Sequence, residues 1–343
     1  MNTDSPQVRE LAHDDGSWNR FVAQHPDGTA FHRWEWKAIH ESVFGHRARF
    51  VALENDGKLC GILPLIETHS RIFGRYLVSM PYVNFGGPLV SDPGDATVLC
   101  AYARDLGRQC DLVELRSTRP MEADLVLSQR KVTVVLDLVP HQPDAAFAKF
   151  PSKLRSQVRR AGKEGVDIRF GADQLEPFLD VLHRNMRDLG SPAHGRKFYQ
   201  AIIDQLGNDV WVGCAYLGDT AIAAGVAFRY GAEVEITWAS ALRDYNRISP
   251  NMALYWAFIQ RAINEGVSRF NFGRCTPESG THRFKLQWGG KTEPLYWYQH
   301  RSGAVSQTPS PDRPIFSMAA RVWQKLPVSI TRHVGPRVVQ GIP

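Results

Sequence analysis

One order of strand-like and helical patterns occurs twice along this chain, and the repetition constrains the fold more than any other sequence feature. In the first half, Arg49–Thr68 contains two apolar runs around a turn at Asp56-Gly57. In the second half, Val210–Arg229 contains two similar runs around Gly218-Asp219. Apolar runs joined by a short glycine-containing turn predict a β-hairpin. The chain is therefore predicted to contain the same hairpin-led unit twice.

Each predicted hairpin is followed by a helix and one more strand. The first helix, Ala96–Gln109, leads into a strand at Asp111–Ser117. The second, Asn251–Asn264, carries an apolar stripe at helical spacing and leads into a strand at Arg269–Phe272. The same order at similar spacing indicates an internal duplication, although few residues are identical between the halves. A chain of 343 residues is also long enough for two domains.

Composition places the chain among globular proteins. Its hydrophobic content of 43% allows substantial cores. The five cysteines are scattered, with no CxxC pair, which favours reduced thiols in a cytosol. The N-terminus is polar and no apolar run is long enough to span a bilayer, so a cytoplasmic protein is predicted. The net charge of +6 fits either an ordinary basic surface or an anionic partner.

Changes in composition predict the domain limits. We expect a first domain at 1–140, a linker helix at 141–165, a second domain at 166–300 and a C-terminal segment at 301–343. The linker carries six cations and no acid from Lys149 to Lys163. The C-terminal segment begins Ser/Pro-rich, which predicts flexibility, and ends as a basic amphipathic tail. That tail is expected to dock on the protein or to lie on a membrane surface, and docking is favoured.

The segment 269–290 is the strongest candidate for chemistry. A short strand containing Asn271 runs into a glycine-bearing loop with a dense set of cations, and such turns commonly bind anions. The loop supplies Arg274, Arg283 and Lys285. Because Lys285 lies between two apolar residues, they can hold its stem while the ammonium points into a cleft. Asn271 and Arg274 are predicted to bind substrate, and Arg283 and Lys285 to act in catalysis.

Several other kinds of chemistry lack support in the sequence. There is no GxSxG elbow, no HExxH or Cys/His cluster, and no P-loop or Rossmann fingerprint. Cys275 is interpreted as a buried thiol. No metal or resident cofactor is predicted. What remains is group transfer by positioning and charge stabilisation, which needs cations where negative charge develops.

Two further polar patches lie in the first half. Ser79–Asp92 carries Tyr82 and Asn84 beside a Gly-Gly-Pro turn, and both residues are substrate-binding candidates. The other patch, 31–41, crowds aromatic and polar residues at one helix start. Its candidates for contact with a ligand are Trp36, Lys37 and His40.

A third patch, Arg243–Met252, precedes the second predicted helix. It contains Asp244 as a candidate base and Tyr245 as a substrate-binding candidate. Ser249 or Asn251 is expected to cap the helix.

Taken together, these segments resemble the FemABX-like transferases, and more closely the FemAB-related proteins of the PEP-CTERM/exosortase exopolysaccharide system. The resemblance is carried by the duplicated unit, KLRSQVRRAGKEGV, DYNRISPNMALYWAFIQRAINEG, PYVNFGGPL and FNFGR…HRFKLQWGG. It covers the chain up to about Tyr298. It implies an α/β (α+β) fold of two tandem GNAT-like domains, the acyl-CoA N-acyltransferase-like fold, with mixed sheets flanked by helices.

The resemblance also implies a reaction. Characterised members transfer an amino acid from aminoacyl-tRNA to the peptide of a peptidoglycan precursor. Lys285 occupies the position of a lysine that is linked to catalysis in the family. A lysine near the first-domain Trp motif contacts precursor phosphates there. The motif Trp is Trp36 or Trp34 here, and Lys37 is the neighbouring lysine.

Two departures keep the acyl donor open. Val166–Val210 has room for only a short helix pair, so the long coiled-coil arm of some members is missing, which leaves an acyl-CoA as an alternative to charged tRNA. The RxxGxG-type turn of CoA-dependent GNAT enzymes is also missing. We therefore expect amide formation on an anionic peptidoglycan or exopolysaccharide precursor, with Asp244 or Glu235 as candidate bases. The rivals are an acyl-CoA-dependent enzyme and a non-catalytic binding protein for such a precursor. The oligomeric state is not indicated.

Overall fold

The computed structural model describes residues 6–70, 74–301 and 314–342, and the chain divides into two compact units. Unit 1 takes its described residues from Met1–Lys131, Pro294–Ser310 and Gln340–Pro343. Unit 2 takes its described residues from Val132–Glu293 and Pro311–Val339. Each unit contains a mixed β-sheet and several helices.

The strands follow the apolar runs of the sequence. In chain order they are β1 (Gln7–Leu11), β2 (Arg47–Asn55), β3 (Lys58–Ser70), β4 (Gly74–Val78), β5 (Leu89–Val90), β6 (Leu112–Ser117), β7 (Val126–Ser128), β8 (Val132–Asp137), β9 (Val166–Phe170), β10 (Val210–Leu217), β11 (Thr220–Tyr230), β12 (Glu233–Ala241), β13 (Arg269–Cys275), β14 (Lys291–Pro294) and β15 (Tyr296–Arg301).

The helices lie between these strands and at the C-terminus. They are α1 (Ser17–Gln24), α2 (Glu35–Phe44), α3 (Asp95–Leu106), α4 (Pro143–Lys149), α5 (Ser152–Lys163), α6 (Leu175–Leu189), α7 (Arg196–Leu206), α8 (Pro250–Asn264), α9 (Gly280–Leu286), α10 (Pro314–Lys325) and α11 (Val328–Val339).

The two sheets have corresponding strand orders. In unit 1 the order is β1-β2-β3-β4-β6-β15-β7, with β5 also paired to β3. In unit 2 it is β14-β8-β13-β12-β11-β10-β9. The hairpin β2–β3 corresponds to β10–β11, and the parallel pair β4/β6 corresponds to β12/β13. Helices α3 and α8 form the crossovers between the parallel strands. The duplication predicted from the sequence is therefore confirmed.

One strand in each sheet comes from outside the expected range. Strand β8 precedes the second repeat, yet it pairs antiparallel with β13 in unit 2. Strand β15 follows the second repeat, yet it pairs antiparallel with β6 in unit 1. The units consequently differ from the predicted ranges 1–140 and 166–300. The physical reason is that β8 and β15 complete the open edges of β13 and β6.

The predicted linker also has a different place. Residues 141–165 lie within unit 2 and include all of α4 and α5, and α5 packs against α8. Leu154 and Ala161 of α5 are buried. A cationic helix with an apolar stripe thus contributes to the core of unit 2 instead of joining two domains.

Helix α8 is the centre of the core of unit 2. Proline at its first position suits a helix start, because that position needs no N–H donor. Leu254, Phe258 and Ile259 on its apolar stripe are fully buried. Loss of a buried ring such as that of Phe258 costs about 3–5 kcal/mol. This packing holds the start of α8 and the end of β12 in fixed positions.

The C-terminal tail forms α10 and α11, which pack on α6 of unit 2. The Ser/Pro segment predicted to be flexible, from 302 to 313, lies outside the described residues. Within the described ranges, no helix has both the length and the apolarity needed to cross a bilayer.

Candidate active site

Strands β12 and β13 start as a parallel pair and then separate. Their register joins Glu233 to Arg269 and ends where Glu235 meets Asn271. Strand β12 continues to Ala241 and β13 to Cys275 beyond that point. Main-chain groups of β13 past Asn271 therefore face a gap in the sheet. A gap between diverging parallel strands offers main-chain groups to a ligand or to another side chain.

The strand β13 is irregular within this gap. Its register with β8 shifts between Asn271 and Arg274, and Gly273 has a φ of 70°. The Asn271 Oδ1 accepts a hydrogen bond from the Gly273 N–H at 2.9 Å, and the Asn271 Nδ2 donates to Glu233. A left-handed conformation suits glycine, which has no Cβ to clash. Asn271, predicted to bind substrate, is thus engaged in holding the strand's bulge.

The side chain of Lys285 lies beside the irregular part of β13. It lies on α9, whose N-terminus is capped by Ser279 accepting from the His282 N–H. The side chain is 3% exposed. Its Nζ donates to the Gly273 carbonyl at 2.5 Å and to the Arg274 carbonyl at 3.0 Å. The sequence predicted an ammonium that points into a cleft, whereas here it is buried against two main-chain carbonyls of β13.

Burial makes the ammonium of Lys285 easier to deprotonate. Desolvation lowers the pKa of Lys285 to about 8, although the nearby Cys275 and Glu235 act to raise it, and Arg274 adds to the lowering. A buried amine loses hydration that stabilises its charged form, so its pKa falls. Lys285 is consequently a cation that can exchange its proton within reach of neutral pH.

Two buried side chains, those of Glu235 and Cys275, lie near this ammonium. Glu235, the last position of β12 that pairs with β13, is 4% exposed, and its Oε1 accepts from the Thr237 hydroxyl at 3.0 Å. Cys275 is buried, as the sequence indicated. Burial and the nearby Cys275 raise the pKa of Tyr255 on α8, which keeps the phenol neutral. Glu235, Cys275 and Tyr255 are thus all buried, and they expose little charge to solvent.

The two arginines of the segment have different environments. Arg274 is half-buried, and its carbonyl binds Lys285. Arg283 is exposed, and its Nη1 donates to the Glu278 carbonyl at 2.7 Å. The structure thus joins Arg274 to Lys285 directly and places Arg283 on the outer side of α9.

Asp244 and Tyr245 lie in a 3-10 helix, Arg243–Ile248, between β12 and α8. Asp244 is exposed and Tyr245 is half-buried. Within the described residues, no hydrogen bond or ion pair joins Asp244 to Lys285. Ser249 stands at the N-cap of α8, where its side chain makes no capping hydrogen bond.

The first-half candidates Trp36 and Lys37 are engaged inside unit 1. Trp36 is fully buried and its Nε1 donates to the Ala30 carbonyl at 2.8 Å. The Lys37 Nζ donates to Glu41 at 2.7 Å and to the Ala48 carbonyl at 2.9 Å. Both side chains are therefore bound to groups of α2 or of the segments next to it in unit 1. His40, the third polar candidate of this segment, is fully buried.

Tyr82 and Asn84 belong to a loop that follows β4. Asn84 is 5% exposed. Tyr82 has a φ of 73°, and its hydroxyl donates to the Gln340 carbonyl at 2.6 Å. Both residues therefore lie in a folded loop of unit 1.

That loop closes the gap in unit 1 that corresponds to the gap in unit 2. The parallel register of β4 and β6 ends at Val78 and Glu114. The chain then leaves the sheet and returns, so that the Gly86 N–H donates to the Arg116 carbonyl at 3.0 Å. By register, Arg116 corresponds to Gly273. The carbonyl that binds Gly86 in unit 1 thus corresponds to the one that binds Lys285 in unit 2.

A buried ion pair fixes this loop. The Arg116 Nε donates to Glu114 Oε1 at 2.8 Å, and both side chains are less than 5% exposed. The Arg116 Nη1 donates to the Val83 carbonyl at 3.1 Å, and its guanidinium lies 4.4 Å from the Trp297 ring centroid. Unit 1 therefore uses a buried cation to hold its own loop.

Unit 1 also contains a cavity of about 630 Å³ beside the end of β6. Its lining includes His25, His32, Phe85, Pro88, Arg119 and Met121. The His32 ring contacts the Gly87 carbonyl at 3.0 Å, and burial lowers its pKa to about 4. Sequence reasoning missed this cavity. In segment 31–41 the sequence predicted ligand contacts by Lys37 and His40, whereas His32 lines the cavity.

Among the described residues, no three His, Cys, Asp or Glu side chains are grouped to hold a metal ion. The polar groups near the gap of unit 2 are instead one buried lysine, one buried carboxylate and main-chain carbonyls.

These features define the class of domain in unit 2. Residues 148–286 match the family model of the acetyltransferase (GNAT) domain, and the match ends just beyond Lys285. Most of unit 2 is therefore similar to a GNAT domain, as the resemblance implied.

Solved structures have a similar fold over most of the chain. FemX is 13% identical, with 84% of this chain and 97% of that chain covered at a TM-score of 0.63. The L-PGS structure from Bacillus licheniformis is 12% identical over 91% and 98% of the two chains, with a TM-score of 0.54. A tandem GNAT protein from the clavulanic acid biosynthesis pathway is 13% identical over 88% and 100%, with a TM-score of 0.53. No curated protein sequence matches the chain. The expected fold, two tandem GNAT-like domains with mixed sheets flanked by helices, is confirmed.

Proposed function

We propose that this protein is an acyltransferase that forms an amide on an anionic cell-envelope precursor, with an aminoacyl group as the transferred unit. The observation that carries the proposal is the buried ammonium of Lys285 at the gap between β12 and β13. The GNAT domain in unit 2 and the FemX-like fold support it. The finer identity of the donor and of the acceptor is part of the proposal.

The reaction needs positive charge at one point. An amine of the acceptor attacks the acyl carbonyl carbon, a C–N bond forms, and the bond from that carbon to the donor's oxygen or sulfur breaks. The amine loses a proton overall, and the leaving group gains one. Negative charge develops on the carbonyl oxygen in between. A buried cation stabilises such an oxyanion strongly, because water does not screen it.

We assign that task to Lys285. Its Nζ is held by two carbonyls, so one donor position remains to face an incoming oxyanion. Arg274 adds positive charge nearby. Glu235, a buried carboxylate, is the proposed proton acceptor. Asp244 and Arg283, both exposed, are proposed to contact substrate.

An aminoacyl-tRNA is the favoured donor. The position where CoA-dependent enzymes place their glycine-rich turn is the 3-10 helix Arg243–Ile248, which contains no glycine. An acyl-CoA remains the second candidate, since the family model that matches unit 2 is that of an acetyltransferase domain.

The test compares Lys285→Ala with Lys291→Ala, an exposed lysine on β14 that pairs with Asp137. Envelope precursors from cells with and without the protein would be compared by mass spectrometry to identify the amide product. Purified variants would then be assayed with charged tRNA and with acyl-CoA. Loss of one oxyanion donor lowers the rate about 100- to 1000-fold, so this loss is expected for Lys285→Ala only.

Two results would count against the proposal. Normal turnover by folded Lys285→Ala removes the mechanism. Binding of a precursor without any product, weakened by the same substitution, indicates a binding protein instead of an enzyme.

A further inference from the structure

The C-terminal helices α10 and α11 pack on α6 through one side only. Ala320 approaches Gly190 so closely that a Cβ added there would lie 2.8 Å from the Ala320 Cβ. The Arg187 Nη1 donates to the Leu326 carbonyl at 3.1 Å, between the two helices. Arg332 of α11 forms ion pairs with Asp180 and with Glu176 of α6. We call the pair of helices, residues 314–339, the C-terminal hairpin.

The outward side of α10 combines apolar and basic residues at helical spacing. Met318 and Val322 are 63% and 58% exposed. Arg321 and Lys325 are exposed on the same face, because positions i, i+3, i+4 and i+7 share one side of a helix. Ala320, the residue nearest α6, lies on the other side. The face of α10 away from the protein is therefore both apolar and cationic.

Helix α11 repeats the same pattern. Ile330 and Val334 are 44% and 38% exposed, and His333 and Arg337 are exposed on the same face. The buried positions, Thr331 and Gly335, lie on another side. Both helices thus present the order apolar, basic, apolar, basic at i, i+3, i+4 and i+7.

The charge of the hairpin has one sign. Residues 314–342 contain four Lys and Arg residues and no Asp or Glu. One of the four, Arg332, is paired with the acids of α6, so the remaining three lie on the two outward faces. An anionic surface is the complement of these faces.

The mixture of residues selects the kind of anionic surface. A nucleic acid would match the cations but would leave Met318, Val322, Ile330 and Val334 against water or phosphate. At a bilayer surface, apolar side chains enter the boundary below the headgroups while Lys and Arg reach lipid phosphates. Helices that lie in this way need an apolar-cationic face and need not be long enough to cross.

We propose that the C-terminal hairpin attaches this protein to an anionic membrane surface through the outward faces of α10 and α11. The inference does not depend on the reaction proposed above, because it rests on a different part of the chain and is tested by binding alone.

The experiment is cosedimentation of the full-length protein with vesicles. One set contains phosphatidylcholine and phosphatidylglycerol, and the other contains phosphatidylcholine alone. Binding is expected to the anionic vesicles, to weaken as salt is raised, and to be at least about tenfold weaker for the neutral vesicles.

Paired variants identify the surface. Arg321→Glu/Lys325→Glu and Met318→Ser/Val322→Ser should each reduce binding by at least about tenfold, since both charge and apolar insertion contribute. Arg337→Gln tests α11 with a smaller change and should weaken binding severalfold. The matched controls are Lys58→Glu/Arg130→Glu and Val126→Ser/Leu127→Ser, which change exposed residues of unit 1 and should leave binding unaltered.

Circular dichroism and thermal melts establish that each variant is folded. The proposal is overturned if the wild type binds neither kind of vesicle, if it binds both equally, or if the control pairs lose as much binding as the hairpin pairs. Binding to RNA that is stronger than binding to anionic vesicles, and equally sensitive to the charge variants, would also overturn it.

Discussion

Lys285 combines a functional position with an energetic cost. The side chain is almost completely buried, and two carbonyls replace only part of its lost hydration. Burial lowers its pKa to about 8 from an ordinary value of 10.5. A protein retains such a group where the charge itself is used, because an apolar residue of similar size would be easier to bury.

The first prediction concerns the pH dependence of turnover. The ammonium form stabilises an oxyanion, and this form is lost as pH rises through about 8. In Lys285→Arg the guanidinium keeps its proton throughout this range. The ratio of the wild-type rate to the Lys285→Arg rate should therefore fall above pH 8, in steady-state assays from pH 6 to about 10. A ratio that rises with pH would indicate that the neutral amine is the active form.

The second prediction concerns stability. A lysine with a lowered folded-state pKa destabilises the fold below that pKa, and the penalty is relieved as pH rises from about 8 to 10.5. Lys285→Met should therefore unfold at higher urea concentration than the wild type near pH 7. Relative to this variant, the wild type should gain up to about 3 kcal/mol by pH 10.5.

Urea unfolding at several pH values measures this difference. Lys291→Met serves as the control, because Lys291 lies on the surface of β14. A constant difference between wild type and Lys285→Met across the range would contradict the prediction.

At the scale of elements, the gaps between the two diverging strand pairs are filled in different ways. In unit 2 the gap receives a lysine from α9, which follows β13 in sequence. In unit 1 the gap receives the loop that follows β4, so Gly86 and the ion pair of Glu114 and Arg116 occupy it. Gly87 allows this loop to approach β6, since a Cβ there would lie 2.9 Å from the Ser117 Cα.

The third prediction follows from this buried pair. Arg116→Met leaves the Glu114 carboxylate buried without its partner, which costs about 3–5 kcal/mol of unfolding free energy. The double variant Arg116→Met/Glu114→Leu should recover most of this loss, because no charge is then left unpaired. Denaturant unfolding of the three proteins measures both effects.

Arg108→Met provides the comparison, since Arg108 is 75% exposed and pairs with Asp105 at the surface. Its effect should stay below about 1 kcal/mol. A loss in Arg116→Met that is no larger than this would show that the loop is held by other contacts.

At the scale of the whole molecule, much of the fold was predictable. The hairpins, the crossover helices and their order follow from local patterns of apolar residues, and the structure has them within a few positions of the predicted ranges. The apolar neighbours of Lys285 predicted that its stem would be held, but its burial against the Gly273 and Arg274 carbonyls was not predicted.

Other features depend on contacts distant in sequence. Strand β8 reads as the end of the first repeat and β15 as the end of the second, because both have ordinary strand patterns. Which sheet each of these two strands joins depends on which sheet edge is open. Local sequence patterns do not indicate this. The role of Asn271 in shaping the bulge at Gly273 was missed for the same reason, since it needs the return of β8 beside β13.

The fourth prediction uses the exchange. A fragment of residues 132–293 contains β8 and should unfold cooperatively in urea. A fragment of residues 138–293 lacks β8 but keeps α4 and α5, so the edge of β13 is left open and the fragment should aggregate or unfold at lower urea concentration. Equal stability of the two fragments would show that β8 contributes little to unit 2.

The exchange of β8 and β15 also affects the order in which the chain can fold during synthesis. The first sheet lacks the strand between β6 and β7 until Arg301 has left the ribosome, long after residues 6–131 of unit 1 have emerged. Domains at the N-terminal end of a chain generally fold first as they are made. Here the N-terminal half keeps the edge of β6 unpaired until β15 has been made. Nascent chains that stall between the two halves are therefore the ones most exposed to aggregation and to binding by chaperones.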